Sequence, residues 1–358
     1  MFDYNWTLKD ATFTKDKGTV FSCFACGGGS TMGYKLAGFD VIGCNEIDPK
    51  MMAAYRANHN PRFSYLEPIQ TFKLRDDLPP ELYDLDILDG SPPCSSFSTA
   101  GNRDKDWGKK KKFREGQAEQ VLDTLFFDFI DLAKKLQPKT VIAENVKGML
   151  VGEAQAYVIR VLDELNEAGY YASFRLLDAS KMGVPQRRER VFFYAIRKDL
   201  YAGPFDDLFG AEPTLELEFM EKGIPFGTIK DRQAEKNTLN ENFTALMDEL
   251  KYGEPDLRYP TKRLEGKENN FGNKILYPEK VCYSILASDK DIVYGENRYK
   301  TRIEFLLAGS YPMDYDFLDN RPQYLIGMSV PPVMTAQVAT RIYDQWLEPI
   351  NAAEGRKA

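Results

Sequence analysis

A single histidine, His59, occurs in the 358 residues of this chain. That scarcity nearly excludes Ser-His-Asp and Cys-His chemistry, which need an imidazole base, unless His59 itself supplies it. Cysteines are few as well: Cys23, Cys26, Cys44, Cys94 and Cys282 form an odd, scattered set. The opening MFDYNWTLKD has neither the basic nor the apolar region of a signal peptide. Reduced thiols in a cytoplasmic protein are therefore expected. Cys23-x-x-Cys26 lacks a second ligand pair, so packing accounts for it and no metal site is expected. No run of about 18 apolar residues marks a membrane-crossing helix. A basic excess is missing too. Lys and Arg number 47 against 54 Asp and Glu, a net charge of -7, which argues against nucleic acid on total charge and leaves only local patches for such a partner.

What is present is an α/β pattern. With 43% hydrophobic and 28% charged residues, the length suits one large α/β domain and a smaller one. Thr19 to Ala25 is a β-prone run that ends in Gly27-Gly28-Gly29. Ser30 is placed to cap a helix through Phe39, and Val41 to Glu46 follows as a second strand. Glu46 stands about 20 residues past the first strand's turn, where such folds place a carboxylate for ribose hydroxyls. Further on, the pattern predicts a helix over Asp48 to Asn58 and a strand over Asp84 to Leu88.

That strand opens into Asp89-Gly90-Ser91-Pro92-Pro93-Cys94, followed by a loop of small polar residues through Gly101. The prolines stiffen the turn before the thiol, and the loop after it can close over a substrate. A buried structural cysteine is the ordinary alternative, but the polar loop favours a reactive one. Arg103 to Gly116 carries seven basic residues against three acidic, which suits a solvated face or a phosphate contact equally.

Gln117 to Leu136 has a strong helical stripe of Leu122, Leu125, Phe126, Phe129, Ala133 and Leu136. Thr140 to Asn145 is a buried strand that delivers Glu144 at its carboxyl end, where burial favours a proton-donating acid. A helix over Glu153 to Ala168 and strands over Tyr170 to Leu177 and Val191 to Ile196 complete this half. Alternation sends Arg188 and Arg190 to one side, able to hold carbonyl or phosphate oxygens, or else to ladder with Glu189. From Lys198 to Asn297 the periodicity fades into an irregular second domain. A final helix is expected over Val333 to Trp346, with a frayed tail after Pro349. The expected units are 1–197, 198–297 and a returning segment 298–358.

A thiolate, an acid and two arginines around a ribose-gripping turn meet the needs of attack on C6 of a pyrimidine. Cytosine C5 accepts a methyl group only after a nucleophile has added at C6 and a proton has reached N3. In Pro93-Cys94, Glu144-Asn145-Val146 and Gln186-x-Arg188-x-Arg190, in this order, the chain resembles the DNA (cytosine-5) methyltransferases of bacteria and phages. The resemblance covers nearly the whole chain. It implies an S-adenosylmethionine-dependent, Rossmann-like sheet with helices on both faces and a smaller, irregular target recognition domain. It makes Cys94 the nucleophile, sets Glu144 against a flipped cytosine, and gives Arg188 and Arg190 its O2 and nearby charges. It also implies S-adenosyl-L-methionine contacts from Phe24, Gly27, Gly28, Gly29, Glu46, Ile47, Glu67, Pro93, Leu125 and Ser329. Cys26, Glu67 and Met328 stand where the family commonly has Gly, Asp and Asn. Double-stranded DNA is the implied partner, a monomer the implied state, and a restriction endonuclease for the same site a candidate companion. A tRNA cytosine-5 methyltransferase and a catalytically inactive DNA-binding relative are the rivals; a nicotinamide oxidoreductase would leave the Cys94 loop without a purpose.

Overall fold

The computed structural model describes residues 2–93, 110–111, 120–121, 124–152, 154–201, 213–270 and 272–355. A seven-stranded sheet runs through β1 (Thr19–Cys23), β2 (Asp40–Glu46), β3 (Phe63–Leu66), β4 (Ile87–Gly90), β5 (Thr140–Val146), β6 (Tyr170–Asp178) and β7 (Glu189–Arg197). Across the sheet the order is β3-β2-β1-β4-β5-β7-β6. β1 to β5 pair in parallel, while β7 lies antiparallel to both β5 and β6. The order reverses between β1 and β4, and a crevice therefore opens beyond their carboxyl ends.

Alternation explains why both faces of this sheet are covered. Phe21, Leu88 and Val141 face one core with Leu125, Phe126, Phe129 and Leu136 of α3 (Leu125–Leu136) and Val158 and Val161 of α4 (Ala154–Glu167). Their neighbours Val20, Ile87 and Ile142 face the other core, with Tyr34 of α1 (Gly29–Leu36) and Val333, Ala336 and Val338 of α7 (Pro332–Ile342). Each such side chain, fully buried, contributes on the order of 2 kcal/mol. α2 (Pro49–His59) starts with Asp48 accepting from Lys50 and Met51 amides and Pro49 in its first turn, and it stops at left-handed Asn60.

Several sequence expectations shift. Gly28, left-handed at φ 85°, precedes α1; Ser30 is no cap, because its hydroxyl is drawn into the core to Asp89. β4 covers Ile87–Gly90, later than the expected Asp84 to Leu88. α3 begins at Leu125, not Gln117; Gln120–Val121 instead pairs with Lys110–Lys111 in a short antiparallel ladder, and Leu122 lies outside the described residues. β7 begins at Glu189, leaving Arg188 just before it. Pro349 sits inside a terminal helix, Glu348–Ala353, that follows a π-turn over Tyr343–Leu347, so the chain stays helical where fraying was expected.

The irregular region has short helices at Phe226–Ile229, Glu241–Asp248 and Arg258–Glu265 and a three-stranded sheet of two-residue strands. Ion pairs hold it. Arg298 meets Glu304 and Glu296 at 2.7 Å, and Lys300 meets Asp289 at 2.8 Å and Asp291 at 3.0 Å. α5 (Arg302–Ala308) opens with a capping box of Thr301 and Glu304, and α6 (Pro322–Met328) leads back to α7. No helix among the described residues is long and apolar enough to cross a membrane.

Candidate active site

Three groups converge at the carboxyl ends of the central strands. Behind β1, Phe24 and Cys26 both take left-handed backbone, φ 52° and 48°, and Gly28 does too. Only glycine adopts that conformation freely, so Cys26 is a strained substitute there. Its amide donates to Glu46 Oε2 at 2.7 Å, while Glu46 Oε1 accepts from the amides of Ile47 and Asp48, each at 2.8 Å. Burial pushes the Glu46 carboxyl pKa up, and these amide bonds oppose that. Three of about four lone-pair positions are thereby filled, which orients the carboxylate and leaves an acceptor for a ligand hydroxyl.

The Gly27 to Gly29 turn packs too closely on the protein to carry side chains. On its protein side, a Cβ at Gly29 would come within 2.4 Å of the Val330 carbonyl and 2.8 Å of Ser329 Cβ. Ser329 donates to the Leu325 carbonyl at 2.8 Å and approaches the Cys26 thiol at 3.7 Å. Burial, then Glu46, pushes that thiol up to about 12, which makes Cys26 an inert packing group. Phe24 rests against Phe129, ring centroids 6.4 Å apart, and Leu125 is wholly buried at the start of α3. Glu67 turns elsewhere: its carboxylate pairs with Arg75 at 3.0 Å, and its carbonyl accepts from Asn45 at 2.8 Å.

The second group follows β4. Pro92 is buried and Pro93 half-buried; Cys94 and the loop after it lie outside the described residues. Asn145, from the end of β5, donates to the Pro92 carbonyl at 3.0 Å and accepts from the Val146 amide at 2.8 Å. The third group is an ion pair. Glu144 Oε1 stands 2.7 Å from Arg190 Nε across the β5–β7 ladder, both side chains largely covered. Burial lowers the Arg190 pKa, and Glu144 counters it.

Arg188 takes another task. Its guanidinium donates to the carbonyls of Ile285 at 3.1 Å, Gly327 at 2.9 Å and Ser329 at 2.8 Å. Burial, then Arg190, brings its pKa down to about 9, which keeps it a cation near neutrality. It braces the segment carrying exposed Met328, where the family's Asn would stand. Three of its five N–H donors are thus used, and Nε is buried and without a partner among the described residues.

One residue escaped the sequence reading. Asp89, buried at the end of β4, accepts from Ser22 at 2.7 Å, Ser30 at 2.8 Å and Tyr34 at 3.2 Å. Burial pushes its pKa up to about 6, against those hydroxyls, with a further rise from Glu144. An acid ending an apolar strand was the available signal.

A glycine turn with its carboxylate lies on one side of the switch point, and a stiff turn with an acid–arginine pair on the other, on a sheet of the Rossmann-like class. The chain belongs to the C-5 cytosine-specific DNA methylase family, whose model matches residues 18–344. It is similar to the type II methyltransferase M.FnuDI of Fusobacterium nucleatum, 35% identical over 187 residues, 52% of this chain and 49% of that one. The chain therefore spans about half the length of that relative. Over 90% of this chain and 88% of the other, it is 28% identical to the type II methyltransferase M.DdeI of Desulfomicrobium norvegicum. The fold matches that of DNMT2 from Spodoptera frugiperda with a TM-score of 0.61 at 18% identity, covering 91% of this chain and 99% of that one.

Proposed function

We propose that the chain transfers a methyl group from S-adenosyl-L-methionine to C5 of a cytosine flipped out of a specific duplex DNA sequence. The observation that carries this reading is the tie from Asn145 to Pro92, which sets the root of the Cys94 loop beside the Glu144–Arg190 pair. The Gly27 to Gly29 turn, Glu46 and Ser329 would hold the cofactor, with Phe24, Ile47, Pro93 and Leu125 around it and Glu67 at its margin. When bound, S-adenosylmethionine supplies an electrophilic methyl group.

The chain's own residues do the rest. Cys94 adds as a thiolate to C6, forming the S–C6 bond, while Glu144 supports protonation at N3. The electron pair displaced from the C5–C6 bond would make C5 nucleophilic toward the donor's methyl group, whose bond to sulfur would break with its electron pair kept on sulfur, leaving S-adenosylhomocysteine. Removal of the C5 proton by a base then expels the thiolate and restores the ring. Arg190 holds Glu144 in place, and Arg188 shapes the floor below them. The target must leave the base stack for the thiol to reach it. Residues 198–297 would read the DNA sequence, residues 1–197 and 298–358 forming the catalytic unit. A cytoplasmic monomer acting alone or beside a restriction endonuclease for the same site fits this reading.

The test is to incubate the protein with S-adenosylmethionine and duplex DNA carrying 5-fluorocytosine in many contexts. Fluorine at C5 blocks the last proton removal, so a denaturation-resistant adduct on Cys94 is expected, absent in Cys94→Ala. Methylation of tRNA instead of duplex DNA, or cofactor binding with no adduct, would overturn the DNA reading.

A further inference from the structure

The carbonyl oxygen of Gly27 is gripped from two sides. Tyr315 Oη donates to it at 2.6 Å, and His59 Nε2 lies 3.2 Å away. The two side chains come from distant parts of the chain. His59 ends α2, and Tyr315 lies between α5 and α6, 288 residues from its acceptor. Both are buried and their rings stand 6.3 Å apart. A Cβ at Gly28 would come 2.2 Å from His59 Nε2, and one at Gly27 would come 2.7 Å from Tyr315 Oη. The turn is thus seated on these two groups.

The Gly27 carbonyl shares a peptide plane with the Gly28 amide, which itself donates to the Ala25 carbonyl at 2.8 Å. Two successive glycines can turn such a plane over at little steric cost. Reversal would swing the carbonyl toward the ligand side and disturb the first amides of α1, which have no acceptors inside the helix. Donors converging on the oxygen hold one orientation. His59 suits this work. Burial, then Lys35, takes its pKa down to about 3, so the ring stays neutral with a single N–H. With that proton on Nε2 for Gly27, Nδ1 is a bare acceptor, and it is buried without a partner among the described residues.

We propose that Tyr315 and His59 are positioning residues for the methyl-donor site, fixing the Gly27–Gly28 peptide in the orientation that receives the cofactor. This rests on the reading that S-adenosylmethionine binds at this turn. It gives the chain's only histidine a role outside the methyl-transfer chemistry. It also makes donor affinity depend on the segment that returns from the irregular region.

Calorimetry with S-adenosylmethionine on the full chain tests it, beside amide hydrogen exchange of residues 24–31 without ligand and steady-state methyl transfer. Tyr315→Phe deletes one donor, His59→Phe deletes the other, and His59→Gln can restore an amide N–H near Nε2. Loss of a neutral hydrogen bond corresponds to about a fivefold change. Tyr315→Phe and His59→Phe are each expected to raise Kd and KM for the donor about fivefold, with kcat changing less and exchange at the turn faster. His59→Gln should stay near wild type. Wild-type affinity in Tyr315→Phe and His59→Phe, or unchanged exchange, overturns the proposal. A wild-type chain that binds no S-adenosylmethionine overturns the donor reading itself, a result distinct from equal binding by all variants.

Discussion

Asn145 donates through Nδ2 to the carbonyl of Pro92 at 3.0 Å, joining the ends of two adjacent parallel strands, β4 and β5. The bond fixes where the Cys94 loop begins, since Pro93, the one residue between it and Cys94, has a fixed φ. Asn145→Ala would leave a buried carbonyl unpaired, at a cost of about 1–3 kcal/mol. A single-turnover methyl-transfer rate reduced at least about tenfold is expected, from misplacement of the loop, with calorimetric binding of S-adenosylmethionine little changed. A rate equal to wild type would show that the loop sets its own position.

Glu144 and Arg190 predict a different separation. Glu144→Gln keeps size and an acceptor but loses the charge, so the chain should fold while methyl transfer falls by roughly a hundredfold or more. Far-ultraviolet circular dichroism and a radiolabel assay measure the two effects. Glu144→Ala should be worse for stability, because the largely covered Arg190 Nε would lose its acceptor as well as its anion. Equal activity in Glu144→Gln and wild type would remove Glu144 from the chemistry.

Arg188 divides a structural role from a direct one. Deleting a side chain that bridges Ile285, Gly327 and Ser329 leaves three carbonyls to be satisfied anew. Arg188→Met should lower the urea-unfolding free energy by about 3 kcal/mol. Arg188→Lys should recover little of it, as an ammonium lacks the planar fork. Full stability with lost transfer would instead assign Arg188 to the base.

The sheet was legible because its apolar alternation is local. Val20 with Phe21 and Val141 with Ile142 divide between the faces as period two requires. The places of Glu46 and Glu144 were legible for the same reason: each lies toward the carboxyl end of a recognisable strand. Arg188 was not, since its partners lie 97 to 141 residues away and are backbone carbonyls, which leave no mark on sequence. Tyr315 and His59 were hidden likewise, because their shared acceptor is the oxygen of a glycine. The second region resisted reading because its apolar core, Leu246, Leu257, Ile275 and Ile292 among others, is gathered from short helices and two-residue strands too brief to show a period. Asp89 was given no role because the apolar run ends at Leu88, while here the strand continues through Asp89 and Gly90.

Asp89 makes stability depend on pH in an unusual direction. Its acid is raised from an ordinary 3.8 to about 6 by burial, so between those values the folded chain binds more protons than the unfolded one. Stability from this group is then complete below about pH 4 and is lost as pH rises through about 6, by roughly 3 kcal/mol. Most paired carboxylates do the reverse. Asp89→Asn removes the charge and lets the hydroxyls of Ser22, Ser30 and Tyr34 turn to meet the amide. Chemical unfolding of both proteins at intervals from pH 4 to 7.5 should give a difference that grows in favour of Asp89→Asn as pH rises. A constant difference across that range would mean that Asp89 keeps its ordinary acidity, its three hydroxyl donors compensating for burial.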